Sequence, residues 1–159
     1  LMSDTLFVLE NGNVIQTGSP EDIYRAPSTK FIAEFMGDAN TFELDDVTER
    51  DGSYEVRATV LDRTATVPYD RGRDAPSHLV VRYDDTTVRT DLTADLGLEV
   101  VVENVLVRGN TVLVECAPAD GDEEYVAEMP VDAFRATGIG KGDTAYLQWD
   151  VSKSILVPE

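Results

Sequence analysis

The sequence predicts a mainly β protein: a small antiparallel barrel or sandwich, preceded by a β-hairpin and two short helices. Three observations carry this. After Asn40, apolar residues recur at every second position through most of the chain. Turn signals separate the short apolar runs at intervals of roughly 8–12 residues. Before Asn40 the pattern is different, with one tight-turn hairpin and two capped helical segments.

The elements follow in chain order. Leu6-Phe7-Val8-Leu9 reads as a short buried strand. Asn11-Gly12 comes next, and these two residues tolerate the positive φ that a two-residue hairpin turn demands. Val14-Ile15-Gln16-Thr17 is the return strand. Ser19 is placed to cap a helix, with Pro20 at its first position and Glu21 and Asp22 in its first turn. Pro27 stops that helix. Ser28 is expected to cap a second one, in which Phe31, Ile32, Phe35 and Met36 fall at helical spacing and Gly37 ends the pattern.

Beyond Asn40 the period becomes two. Tyr54, Val56, Ala58 and Val60 alternate with polar residues, and Ala65 and Val67 continue more briefly. Residues 70–77 form a polar loop. Leu79 to Tyr83 and Thr87 to Thr90 are strands. Val100 to Val107 and Thr111 to Ala117 form a hairpin around Arg108-Gly109-Asn110, expected to be buried on much of both faces. Tyr125 to Met129 is a strand, and Val131 to Thr137 is a short helix ending at Gly138. In the next strand Ala145, Leu147 and Trp149 face one way, and Tyr146 and Gln148 the other. Ile155 to Val157 is the final strand.

The charge excludes several functions. Of 159 residues, 31 are acidic and 13 basic, a formal net charge of −18. Such a chain does not neutralise a phosphate backbone, so nucleic acid is excluded as a partner, and it is not drawn to an anionic membrane. At 42% hydrophobic it still has the apolar content for a core. Asp outnumbers Glu by 18 to 13 and only three lysines occur, all spread along the chain. This pattern is the surface expected of a protein from a high-salt cytoplasm, haloarchaeal in character, where screening relieves self-repulsion. The lone Cys116 has no disulfide partner, which fits a reducing cytosol. No run of about 18 apolar residues is present to span a bilayer. Residues 1–4 show no charged head followed by an apolar stretch, so no signal peptide is expected.

No catalytic constellation is visible. There is no Gly-rich phosphate loop ending in Lys-Ser/Thr, no Gly-x-Gly-x-x-Gly, and no His or Cys pair at metal spacing. His78, the single histidine, reads as a loop residue. Asp45-Asp46 and Asp84-Asp85 read as solvated turns. Asp120-Gly121-Asp122 lacks the Glu and the spacing of a calcium loop. No catalytic residue and no metal ligand is therefore assigned.

The segment from Phe7 to Tyr24, with Asn11-Gly12 and Ile15-Gln16-Thr17-Gly18-Ser19-Pro20-Glu21-Asp22-Ile23-Tyr24, closely resembles the end of the nucleotide-binding domain of ABC importers. The match runs on through Pro27, Phe31-Ile32-Ala33-Glu34-Phe35-Met36-Gly37 and Asn40. Further on, Leu79-Val80-Val81-Arg82-Tyr83-Asp84-Asp85 resembles the family's Leu-Gly-Ile-Arg-Pro-Glu-Asp strand, with Tyr83 in place of Pro. Residues Gly142-Asp143-Thr144-Ala145-Tyr146-Leu147-Gln148-Trp149 resemble its closing Gly-Asp-x-Val-x-Leu-x-Trp.

The resemblance implies a division into residues 1–40, the end of an ATPase domain, and residues 41–159, a regulatory domain of the TOBE or MOP type, expected to form two OB-like barrels. Ser3-Asp4 resembles the family's lead-in to this point. The ATPase motifs, and the ATP and Mg that they bind, would then lie upstream, leaving no cofactor here and no enzyme activity in this part. The implied partners are a second copy through the regulatory domain, the ATPase body and the membrane permease subunits, at the cytoplasmic face of the membrane. Phe31, Ile32, Phe35 and Met36 would be the face toward the ATPase body. The form of residues 37–42 leans toward the polyamine, iron or oxyanion branches. An alternative role is oxyanion sensing, as in the molybdate-binding version of the domain. Such a site needs hydroxyls, N–H groups and cations, and Arg108, Lys141, Ser152 and Lys153 are the candidates. Asp150-Val151-Ser152 stands where that version carries Lys-Ala-Ser/Thr, and an aspartate there repels an oxyanion.

Overall fold

The computed structural model describes residues 5–61, 63–69 and 74–159. The readings of residues 1–4 and of residues 70–73 in the polar loop lie outside this set. The first part is β1 (Leu6–Glu10), β2 (Asn13–Gly18), α1 (Pro20–Arg25) and α2 (Lys30–Phe35). Then come β3 (Ala39–Glu43), β4 (Asp46–Arg50), β5 (Ser53–Ala58), β6 (Arg63–Pro68), β7 (His78–Arg82) and β8 (Thr87–Arg89). The chain continues through β9 (Leu96–Arg108), β10 (Thr111–Ala117), β11 (Tyr125–Pro130), α3 (Val131–Thr137), β12 (Thr144–Trp149) and β13 (Ile155–Val157).

All strand pairings are antiparallel. β1 and β2 form a hairpin, β4-β5-β6 a three-stranded meander, β13-β7-β3 a second three-stranded sheet, and β11-β10-β9-β12-β8 a five-stranded sheet. The five-stranded sheet curls, because its two edge strands come back toward each other: the Val88 N–H of β8 donates to the Met129 sulfur of β11 at 3.4 Å. One contiguous core joins this sheet to the other two. Phe42 of β3 stacks on Tyr125 of β11 at 4.8 Å and on Trp149 of β12 at 5.3 Å. Val56 and Val67 of the meander are buried in the same cluster.

Local chemistry explains several element ends. Asn11 and Gly12 have φ of 51° and 80°, the two positive values of a tight hairpin turn. The Ser19 hydroxyl accepts from the Asp22 N–H at 3.1 Å. Gly138 closes α3 in the left-handed region at φ 71°.

Several expectations are corrected. The cap of α2 is Thr29, whose hydroxyl accepts from the Ile32 N–H at 3.2 Å. Ser28 instead ties the helices to the hairpin, its N–H donating to Gln16 Oε1 at 2.8 Å. The strand at residues 6–9 is not buried throughout: only Val8 is, because a two-stranded hairpin is covered here on one face alone. Its other face leaves Phe7, Leu9 and Val14 exposed. β5 stops at Ala58, and Val60 falls in a 3-10 turn, Thr59–Leu61. β3 and β4 were not anticipated, and Asp46 opens β4 rather than lying in a turn. β9 starts at Leu96 and is buried mainly in its first half, so Leu106 and Val107 near the turn are exposed. His78 opens β7 instead of lying in a loop.

Gly97 in β9 sits where the neighbouring strand leaves no room for a side chain. A Cβ there would lie 2.7 Å from the Leu147 carbonyl oxygen and 2.6 Å from Leu92 Cδ1. A backbone oxygen in a sheet ladder has little room to give. Gly97→Ala is therefore expected to destabilise the fold by about 1–3 kcal/mol. Its urea midpoint relative to the parent chain measures this, and an unchanged midpoint would refute the steric account.

Candidate functional site

The place where the two parts of the chain meet is built around Arg82. Alternation in β7 sends Leu79 and Val81 into the main core, and Val80 and Arg82 to the opposite face. There Val80 packs with Ala33 of α2 and Val157 of β13. Arg82 lies one step further along, beneath the ends of both helices, and is 1% exposed. Its Nη1 donates to the Ala33 carbonyl at 2.6 Å and the Gly37 carbonyl at 3.2 Å. Its Nη2 donates to the Tyr24 carbonyl at 2.7 Å, and its Cζ lies 4.0 Å from the centre of the Tyr24 ring. Tyr24 lies in the last turn of α1, while Ala33 and Gly37 belong to the last turn of α2 and its exit. One guanidinium thus satisfies orphan carbonyls of two helices at their negative ends. Burial pushes its pKa down, while Tyr24, Asp84 and Asp85 oppose this; a guanidinium stays charged throughout.

The connector after α2 is held at further points. The Tyr83 N–H donates to the Asp38 carbonyl at 3.2 Å. Asn40 acts as an extra backbone unit for the edge strand β11: its Nδ2 donates to the Val126 carbonyl at 2.9 Å, and its Oδ1 accepts from the Val126 N–H at 2.8 Å. Across the molecule, Gln148 does similar work for residues 91–94. Its Oε1 accepts from the Thr93 and Ala94 N–H groups at 2.8 and 2.9 Å, and its Nε2 donates to the Asp91 carbonyl at 2.8 Å.

The four residues expected to face an ATPase body divide into two pairs. Ile32 is fully buried against Val8 and Ile23, and Met36 packs on the same cluster. Phe31 and Phe35 point outward, 43% and 67% exposed, with their rings stacked at 5.9 Å. The exposed face of α2 is therefore this aromatic pair. The cause is the shortness of the helix: six residues offer one inner face, which Ile32 and Ala33 take.

The four anion candidates are not gathered into one site. Ser152 and Lys153 lie in the turn after β12, whose Trp149 pairs with Leu96, the first residue of β9. Arg108 is the last residue of that same strand. Lys141 is in the turn before β12, next to Gly142, whose N–H donates to Val102 in mid-strand. Carboxylates also face the cations: Lys153 is 3.8 Å from Asp85, and Arg108 is 3.5 Å from Glu128 and 3.9 Å from Asp38. Burial raises the Asp85 pKa first and Asp84 adds to it, while Lys153 lowers it. Beside Lys153 a hollow of about 220 Å³ combines Arg89 and Lys153 with Asp85 and Asp150. A larger open cleft of about 1050 Å³ is lined by Glu34, Glu43, Asp45, Glu99, Asp120 and Glu123 against Lys30 and Arg63. Neither presents a net positive lining. Among the described residues no group of three His, Cys, Asp or Glu is arranged to hold a metal, and no helix is long and apolar enough to cross a membrane.

Sequence reasoning did not single out Arg82, Asn40 or Gln148. A signal was present for Arg82, a charge at the end of the apolar run Leu79-Val80-Val81. Asn40 and Gln148 fall within the stretches that carry the resemblance, but their roles depend on backbone groups distant in sequence.

No family model matches the chain. Its relatives include the Fe(3+) ions import ATP-binding protein FbpC of Brucella abortus, 35% identical over 88 residues, or 55% of this chain. The sulfate/thiosulfate import ATP-binding protein CysA of Caulobacter vibrioides is 29% identical over 140 residues, or 88% of this chain. The chain spans only 24% and 37% of the lengths of these two proteins. Among solved structures, the cytoplasmic molybdate-binding protein ModG, with molybdate bound, aligns with a TM-score of 0.59 at 19% identity. That alignment covers 77% of this chain and 96% of ModG. The chain is thus similar to ABC importer ATP-binding subunits, and its β architecture is the one found in ModG.

Two buried groups side by side make a pH-dependent feature. The Cys116 sulfur lies 3.6 Å from the Tyr125 carbonyl oxygen. Burial pushes the Cys116 thiol from 9.0 up to about 12 and the Tyr125 hydroxyl from 10.0 up to about 12. Both folded-state values lie above the unfolded ones. Their stabilising contribution is therefore complete below about pH 9 and is lost as pH rises toward 12. The urea midpoint is expected to fall over that window, by a loss on the order of a few kcal/mol. Cys116→Ala removes the earlier part of the fall. A midpoint flat to pH 11 would contradict the burial account.

Proposed function

We propose that this chain is the C-terminal part of the ATP-binding subunit of an ABC-type importer. In this reading residues 1–40 end the nucleotide-binding body and residues 41–159 form the regulatory and dimerising module. The observation that carries it is the bare outer face of the first hairpin. Phe7, Leu9 and Val14 are 61%, 57% and 55% exposed on the face of a two-stranded sheet opposite the one that α1 and α2 cover, an apolar patch of the kind that a partner surface covers. The similarity to two import ATP-binding proteins, each much longer than this chain, supports the view that a preceding nucleotide-binding body supplies that cover. ATP and Mg would bind in that body, and the permease subunits would engage it at the cytoplasmic face of the membrane. The module would serve to hold two subunits together while their ATPase halves open and close. The relatives' names favour an iron or oxyanion cargo, and the polyamine branch stays within the proposal. The charge of −18 supports operation at high salt.

The alternative reading, an oxyanion-sensing module, draws support from the fold shared with ModG. The paired carboxylates beside Arg89 and Lys153 weigh against it.

Two measurements test the proposal. Light scattering in about 2 M KCl, where surface charge is screened, is expected to give a dimer mass that molybdate, tungstate and sulfate leave unchanged, with no shift in melting temperature. A monomer at all concentrations would sink the dimerising role. A shift of several degrees with one oxyanion would favour the sensor, because a ligand stabilises the state it binds. In the second measurement Phe7→Ser and Leu9→Ser are made in this chain and in the full-length subunit. They are expected to leave the melting temperature of this chain nearly unchanged and to lower that of the subunit by several degrees. Equal effects in both would remove the covering body from the account.

A further inference from the structure

We infer that residues 37–40, pinned by Arg82, are a mechanical joint through which the position of the hairpin–helix segment is passed to the β11 edge and to the β9–β10 turn. The inference concerns contacts within this chain and does not depend on the importer reading.

The seam lies between helices α1 and α2 and the sheet β13-β7-β3. Arg82 is the buried residue there that reaches both helices, through the Tyr24, Ala33 and Gly37 carbonyls. Its Nε has no hydrogen-bond partner among the described residues, although it is buried. A buried charge with an unmet donor is costly, so the site relies on the three carbonyls being held in place. If α1 or α2 moves, the guanidinium loses acceptors that water cannot replace. The seam therefore behaves as engaged or released, without a continuum of loosened states.

Residues 37–40, which follow α2, are gripped at three places in the sheets: β7, the segment just after it, and β11. Gly37 is held by Arg82 of β7. The Asp38 carbonyl is held by the Tyr83 N–H, and its carboxylate lies 3.9 Å from Arg108 at the β9–β10 turn. Ala39 opens β3 opposite Arg82. Asn40 closes the backbone pairing of β11 at Val126. Displacement of α2 thus pulls at once on β7, on the β9–β10 turn and on the edge of the five-stranded sheet. Arg82 is a positioning residue in this device.

Hydrogen exchange followed by mass spectrometry tests it on the full chain. Arg82→Met keeps an unbranched apolar stem and removes the charge and the donors. It is expected to speed exchange at least tenfold in residues 20–36 and also at Val126. The central strands β9 and β12 should stay within about twofold of the parent. Arg82→Lys, which can reach fewer carbonyls at once, should fall between the two. Asn40→Ala should speed exchange at Val126 while leaving residues 20–36 unchanged. Uniform acceleration over the whole chain would mean that Arg82 is a general core residue and would overturn the inference. So would acceleration confined to residues 20–36 in Arg82→Met, because nothing would then have been passed on. If Arg82→Met does not fold, the Arg82→Lys and Asn40→Ala profiles decide by the same criteria.

Discussion

One side chain sets the relation between the two halves of this molecule. Arg82 enters from β7 and ends beneath the C-terminal turns of two helices. The helices are six residues each, too short to persist alone. They hold because their inner residues, Ile23, Ile32 and Ala33, are buried and because their terminal carbonyls have found a cation. The energetics carry a cost as well as a gain. Taking a guanidinium out of water is unfavourable, and short charge-assisted bonds offset it only while the geometry is kept. The same feature that joins the parts also makes them intolerant of small misplacements.

Around that joint, polar side chains take the place of missing backbone partners. Asn40 completes β11, Gln148 organises residues 91–94, and Trp149 donates to Ser154 at 3.0 Å to fix the turn before β13. Each is buried and each meets groups that no strand neighbour could satisfy. The apolar counterpart is the Phe42, Tyr125 and Trp149 stack, which ties the sheet nearest the helices to the five-stranded sheet. The chain therefore packs three sheets on one core through a few residues with large contact surfaces.

Much of this was legible from the residues alone, for reasons that are local. The Asn11-Gly12 turn, the Ser19 cap, the Gly138 stop and the alternating strands all depend on neighbours within a few positions. What escaped depends on distant partners. Ser28 has the chemistry of a cap, but its N–H is taken by Gln16, twelve residues earlier, and Thr29 caps the helix instead. β3 and β4 carry mixed polar patterns and exist because β7 and β5 offer them edges. Ile32 and Phe35 are equivalent by helical spacing, and only the hairpin beneath decides which is covered. Arg108, Lys141, Ser152 and Lys153 share a chemistry but not a location, and chemistry is the part that sequence reports.

The sheet that carries Arg82 has its own implication for synthesis. Its central strand β7 is flanked by β3 on one side and β13 on the other. The Pro158 carbonyl, just past β13, accepts from the Lys30 N–H that opens α2. The platform on which the early helices rest is therefore not whole until residues more than a hundred positions later have left the ribosome. Contacts of such long sequence separation form slowly, because a large loop must close first. On a ribosome the hairpin and helices emerge early and wait, their apolar faces open, for a strand not yet made. For this chain, the interval between those two events is the period in which a chaperone has most to protect.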